Sequence, residues 1–206
     1  MLTGSGLAVA AGLNAYIPLL ALGLLSRFTD LLQLPAAWAW LESPAALVIL
    51  VVLLAVEVVA DKIPAVDSVN DVLQTVVRPA AGGMVFAAGS GSQTVAIEDP
   101  STIFQSGAWV PIALGVFLAL TTHTTKALGR PVVNISTAGA GAPVVSTAED
   151  VSAVALVGVS VFLPILIAVV LMVLVVAAVW LFAKWQDRSA ARRYRRGGLS
   201  ARPSRP

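Results

Sequence analysis

Ala45 to Val56 is a run without charge or hydrogen-bonding side chains, and the stretch that follows it, "EVVADKIPAVDSVNDVLQTVVRP" (Glu57 to Pro79), holds four carboxylates, Glu57, Asp61, Asp67 and Asp71, with Lys62 and Arg78 among them. This junction constrains the fold more than any other feature. The apolar run suits lipid or a protein core, while a charge at membrane depth costs ~2.5–3.5 kcal/mol on insertion scales and has to find company. A helix opening at Pro44, a residue tolerated in a first turn, carries Glu57 about 20 Å along its axis and Asp61 about 26 Å. Glu57 then stays inside a ~30 Å hydrocarbon layer, and Asp61 and Lys62 approach its edge.

Composition agrees with a bilayer environment. The chain has 206 residues, is 58% hydrophobic and 12% charged, and has a mean hydropathy of +0.89. That is about half the charged fraction of a soluble domain. Cysteine is absent, which excludes disulfides, thiolate metal sites and thiol catalysis. Residues 187–206 hold seven arginines against Asp187, so the remainder of the chain is net negative although the whole is +2. This basic tail is expected to be disordered, to keep the C-terminus cytoplasmic and to touch anionic lipid. Nucleic acid is not an expected partner, since Tyr194 is the tail's lone aromatic.

Along the chain, Gly6 to Ser26 reads as a first membrane helix bent at Pro18, with Asn14 and Tyr16 inside it, retained rather than removed as a signal peptide. Trp38 and Trp40 suit headgroup level. Pro64 is expected to end the helix begun at Pro44. Asp67, Asn70, Asp71, Gln74 and Arg78 then form one polar stripe opposite Val69, Val72, Leu73, Val76 and Val77, a short amphipathic helix closed by Pro79. "AAGGMVFAAGSGSQTVAI" reads as a re-entrant or broken segment. A helix opens at Trp109 and passes into "TTHTTKALGRP"; "VVNISTAGAGAPVVSTAED" has loop character. Val151 to Ala183 is free of charge for 33 residues, about 50 Å of helix. A break is therefore expected near Pro164, separating Val151–Leu163 from a Pro164–Ala183 span. The fold class expected is all-α: a polytopic membrane protein of about four to six membrane helices with broken or re-entrant segments, one integral domain over 1–186, and the tail.

A shift of 67 residues lays Pro44 on Pro111, Pro64 on Pro131 and Asp67 on Asn134. This suggests repeat halves, 44–90 and 111–163, the second replacing acids by His123, Lys126 and Arg130. Opposite charges meet if the halves face each other, as in transporters built from duplicated units.

"GLNAYIPLLALGLLSRF", "EVVADKIPAVDSVNDVLQTVVRPAAGG" and "KALGRPVVNIS…STAEDVSA" resemble the bacterial membrane family catalogued as domain of unknown function 4126, over roughly Gly6 to Phe182. The resemblance implies a small multi-pass inner-membrane protein and brings no activity with it.

Like charges at i and i+4, as in Glu57/Asp61 and Asp67/Asp71, repel. Three remedies are open: a buried network with Lys62, Arg78, Lys126 and Arg130; a hard cation on the carboxylate and amide oxygens; or an acid kept protonated by burial. Against a functional role, "SVND" and "STAED" fit capping boxes, with Ser68 and Ser146 as N-caps and Asp71, Glu149 and Asp150 as helix-start residues. Lys62 and Arg130 can snorkel to headgroups, and His123 has no second histidine with which to form an imidazole metal site. Glu57 caps nothing and lies too deep to snorkel. No nucleotide, zinc or nucleophile motif is present, so neither an enzyme nor a cofactor is expected.

The expected function is a transporter or channel-like protein whose site for a proton, a cation or a small anionic solute comprises Glu57, Asp61, Asp67, Asn70, Gln74, Arg78, His123, Lys126, Arg130 and Asn134, with the metal question open and homo-oligomers allowed. The alternatives are a non-transporting scaffold or assembly factor, and a protein handling lipid-phosphate headgroups.

Overall fold

The structure is a computed structural model that describes residues 1–91, 107, 109–163 and eight positions between 166 and 184, with the side chains of residues 64, 65, 67 and 68 outside the described set. Every described secondary-structure element is helical: α1 (Leu2–Leu13), α2 (Tyr16–Phe28), a 3₁₀ helix (Ala36–Glu42), α3 (Pro44–Ala60), α4 (Pro64–Gly89), α5 (Trp109–Ser136) and α6 (Ala142–Phe162). Residues 1–167 form one compact unit and residues 168–206 another. In the second, the described helical residues, among them Val169, Met172, Val176 and Trp180, are exposed, and the Lys184 ammonium lies 4.6 Å from the Trp180 ring centre. The arginine-rich tail and most of the Pro164–Ala183 span lie outside the described residues.

Within the first unit α1 is the central element, packed against α4, α5 and α6, and α4 and α5 share the most extensive interface. Glycine sets the spacing. A Cβ added to Gly82 would stand 2.3 Å from the Ala119 Cβ, one on Gly115 2.2 Å from the Gly82 carbonyl oxygen, and one on Gly4 2.5 Å from the Phe86 carbonyl oxygen. The core around these contacts is made of small and aliphatic side chains, including Leu7, Ala11, Ala81, Val85, Phe86 and Ala119. Such backbone-to-backbone approach is what small residues permit between helices in lipid.

Several boundaries differ from the expected ones, each for a local reason. The first helix breaks at Asn14–Ala15 rather than bending at Pro18. The Asn14 Oδ1 accepts from the Tyr16 and Ile17 N–H groups at 3.1 and 3.2 Å, capping a new helix in which Pro18 falls in the tolerated first turn. Pro64 does follow a break, but the helix it opens runs through Pro79 to Gly89, so neither a short amphipathic helix nor a re-entrant Ala80–Gly89 segment forms. Burial of Ala81, Val85, Phe86 and Ala88 in the core holds the chain helical past the proline. The remainder of that glycine-rich segment, residues 92–97, lies outside the described residues. Likewise α5 passes through Pro131 to Ser136, and α6 starts at Ala142, so "VVNISTAGAGAPVVSTAED" is mostly helix around a turn in which Ala138 and Gly139 have positive φ. Helix α6 ends at Phe162, two residues before Pro164. Ser68 and Ser146 consequently lie inside helices and are not N-caps. The 67-residue correspondence sets a proline that opens α4 against one in the interior of α5.

Ser43 is an N-cap: its Oγ accepts from the Ala46 N–H at 3.2 Å. Replacing it with alanine leaves that donor unpaired at the start of α3, and Ser43→Ala is expected to lower stability by ~1 kcal/mol, measured as a reduced thermal midpoint in detergent.

One described helix, α6, is by itself long and apolar enough to cross a bilayer; the 3₁₀ helix and α3, bent by 67°, satisfy the same criterion as a pair. Two helices turn apolar side chains outward and polar ones inward, the reverse of a surface helix in a soluble bundle. Helix α3 exposes Val48, Ile49, Val52, Val56 and Val59 and buries Glu57, while α4 exposes Val69, Val72, Leu73 and Val76 and buries Gln74 and Arg78.

Candidate functional site

The break between α3 and α4 puts Asp61 at the C-cap of α3, and the approach of α4 to α5 sets Lys126 and Arg130 opposite it. Asp61, 2% exposed, is the hub. Its Oδ2 lies 2.9 Å from the Lys126 Nζ, 3.2 Å from the Arg130 Nη2 and 3.6 Å from the Arg78 Nη2. Its Oδ1 accepts from the Asn70 Nδ2 at 2.8 Å, and its main-chain carbonyl accepts from the Arg130 Nη1 at 3.2 Å. One carboxylate thus ties α3, α4 and α5 together.

Glu57 is equally buried and accepts from the Arg78 Nη2 at 2.8 Å through Oε1. Arg78 is completely buried, and its Nη1 stands 3.0 Å from the His123 Nδ1. A guanidinium can only donate, so Nδ1 is the acceptor and the imidazole is the neutral Nε2–H tautomer. The Nε2–H faces the Thr75 Oγ1 at 3.1 Å, and that hydroxyl donates to the Asp71 carbonyl at 2.9 Å. A hydrogen-bonded chain therefore runs from buried Glu57 through Arg78 and His123 to the exposed Thr75. Around Arg78 three buried atoms have no partner among the described residues: Glu57 Oε2, Gln74 Oε1 and Arg78 Nε. Ser146 Oγ on α6, away from Arg78 in the chain, likewise has no hydrogen-bond partner among the described residues. Buried polar atoms are rarely left this way without a reason.

The outer part of the cluster is built from α6 and the end of α1. The Glu149 Oε2 stands 3.1 Å from the Lys126 Nζ as an ion pair and pairs closely with the Arg130 Nη2. Asp150 accepts from the Asn14 Nδ2 at 3.0 Å and stands 3.9 Å from the Lys62 Nζ, whose own hydrogen bond goes to the Val58 carbonyl. The Leu13 carbonyl accepts from the Lys126 Nζ at 3.2 Å. Asp71 completes the set with an ion pair to Arg78 at 3.8 Å.

Of the ten residues expected at the site, the structure gathers Glu57, Asp61, Asn70, Arg78, His123, Lys126 and Arg130 through direct contacts, and buries Gln74 one helical turn from Arg78. Asn134 contributes no hydrogen bond or ion pair to the cluster among the described residues; its carbonyl caps the turn after α5 by accepting from the Gly139 N–H at 2.8 Å. The Asp67 side chain lies outside the described residues. Arg130 does not snorkel, being buried between Asp61 and Glu149. Sequence reasoning misassigned Glu149, Asp150 and Asp71 as helix-start residues and overlooked Asn14 and Thr75. A signal for the first two existed: they are the only charges between Arg130 and Lys184. Among the described residues no group of three or more His, Asp or Glu side chains is arranged to hold a metal ion.

Helices that turn valine outward and enclose carboxylates, guanidinia, an ammonium and an imidazole define a class: an all-helical unit organised around a buried ionic network. The chain belongs to the family described as domain of unknown function (DUF4126), which matches residues 1–184. Comparison with curated proteins and with solved structures gives no match.

Proposed function

We propose that the chain is a small multi-pass protein of the bacterial inner membrane, its C-terminus cytoplasmic, that moves a proton or small cation through the Glu57–Arg78–Asp61 cluster. The outward valine faces of α3 and α4 support the membrane setting, as does the apolar groove formed by Val51, Val52, Ala55, Val56, Val59 and Ile63. Lipid is the solvent for which such a surface costs nothing. The tail's arginines then lie at an anionic leaflet.

The observation that carries the reading is the trio of unpartnered polar atoms around Arg78, the Glu57 Oε2, the Gln74 Oε1 and the Arg78 Nε. Two acceptors and one donor facing no protein partner suit a water or a proton-bearing species, which would satisfy all three. Charge favours a cation over an anion. Four ion-paired carboxylates, Glu57, Asp61, Asp71 and Glu149, face three cations, Arg78, Lys126 and Arg130, with His123 neutral. With all four acids ionised, the described residues of the cluster are short of one positive charge.

Glu57→Gln removes the acid and keeps its shape. In liposomes it is expected to lower proton or cation flux by at least about tenfold, a barrier change of ~1.4 kcal/mol or more, with the protein still folded. Equal flux in both proteins, or none in either, rejects the reading. A second reading is supported by the pairing of every one of the three cations within the chain: the network is then a static lock between helices in a scaffold protein. Under it Glu57→Gln changes thermal stability and leaves permeability untouched.

A further inference from the structure

Lys126 ends in a setting unusual for a lysine. Its Nζ has three oxygen neighbours, Asp61 Oδ2 at 2.9 Å, Glu149 Oε2 at 3.1 Å and the Leu13 carbonyl at 3.2 Å. Two of them accept hydrogen bonds from the ammonium, Asp61 Oδ2 and the Leu13 carbonyl, and the Glu149 oxygen completes the set as an ion pair. The oxygens come from three elements, the last residue of α1, the C-cap of α3 and the middle of α6, while the lysine reaches them from α5. The Leu13 carbonyl is among those a helix leaves without an internal partner, at the negative end of the helix dipole. A carbonyl at a helix break beside two carboxylates is the donor set a hard cation takes, and interrupted membrane helices place such carbonyls against ions.

We propose that Lys126 Nζ fills a cation-binding site as a tethered cation, and that a monovalent cation of about ammonium or potassium size binds the same oxygens when the ammonium is removed. Spacing and charge both specify the class. Distances of 2.9–3.2 Å exceed the 2.3–2.6 Å of calcium and the 2.0–2.1 Å of magnesium, so the cage is sized for an ammonium or a large monovalent ion. Arg130 Nη2 shares Asp61 Oδ2 and Glu149 Oε2 with the lysine and remains in place after its removal. Of the two cations that Asp61 and Glu149 share, Arg130 alone is then left, so the charge missing from this pair of carboxylates is the single one the lysine supplied, which one monovalent ion restores. The inference deepens the transport reading and rests on it for a water route to the cluster.

The test is thermal unfolding of purified wild type and Lys126→Ala in detergent, with sodium, potassium or choline chloride at equal ionic strength. For the variant, potassium is expected to raise the midpoint saturably by roughly 5 °C over choline, with sodium, whose bonds to oxygen are about as short as calcium's, giving less, while wild type unfolds alike in all three. A variant indifferent to the cation, or a wild type showing the same shift, overturns the proposal. If Lys126→Ala is recovered only as aggregate in every salt, E57Q/K126A decides, since it returns the cluster to its wild-type net charge and keeps Asp61, Glu149 and the Leu13 carbonyl. A saturable, cation-specific shift there sustains the site, and its absence rejects it. This readout needs no transport. A cation shift in Lys126→Ala alongside equal flux in wild type and Glu57→Gln rejects the transport reading and leaves the binding site standing, so the two failures are told apart.

Discussion

Asp61→Ala is expected to be the most damaging single side-chain truncation in the cluster, lowering stability by ~3–5 kcal/mol, the range for deleting one partner of a buried ion pair. The carboxylate lies within 4 Å of three cations and accepts from Asn70. Its loss leaves Lys126 and Arg130 sharing Glu149 and strands the Asn70 amide. Lys126, Arg130 and Asp61 itself are at most 7% exposed, so the stranded charges do not reach bulk solvent. The midpoint of thermal unfolding in detergent should fall by on the order of 10 °C. Pairing the change with Lys126→Met should recover part of the loss, because one of the stranded charges leaves with its acid. A double variant no more stable than Asp61→Ala would mean the Asp61–Lys126 contact carries little of the network's energy, and the coupling read from a double-mutant cycle would be near zero.

The second large effect is steric. Gly115→Ala should destabilise the protein by ~1–3 kcal/mol, the cost of an extra methyl in a packed interior. The added Cβ would stand 2.2 Å from the Gly82 carbonyl oxygen and 2.5 Å from the Phe86 Cβ. A main-chain oxygen cannot rotate aside, so α4 and α5 must part. Gly129 lies on the same helix, exposed, and a Cβ there meets nothing within 4 Å. Gly129→Ala should therefore give the ordinary helical gain of alanine over glycine, ~0.5–1 kcal/mol. Opposite signs for two identical substitutions on one helix are the expected result, and a shared sign would deny the tight α4–α5 contact. The contact also serves the site. The Gly82–Ala119 approach lies one turn from both Arg78 and His123, whose 3.0 Å contact depends on how closely the helices run.

Much of the site was legible because charge in an apolar chain is conspicuous. Glu57 and Asp61 follow a run with no polar side chain, and His123, Lys126 and Arg130 recur at helical spacing after another apolar segment. That such groups need one another follows from solvation alone. Glu149 and Asp150 were equally conspicuous, yet "STAED" also satisfies a local capping pattern, and a local pattern cannot reveal that α6 had already begun at Ala142. Proline misled in the same way. Pro79 and Pro131 stop helices by local rules, but here the residues after Pro79 bury Ala81, Val85 and Phe86, and packing outweighs the lost hydrogen bond.

By itself, then, the amino-acid sequence determined an all-helical chain with an apolar exterior and the residues that would have to meet inside it, because helix periodicity and the cost of isolated charge are properties of short segments. Which partners meet was decided only in three dimensions. The Lys126 ammonium finds the Leu13 carbonyl 113 residues away because Asn14 breaks the first helix and glycine lets α4 and α5 touch. Neither event is a property of the segment that carries the charge: the first is a local cap between α1 and α2, the second the packing of α4 against α5.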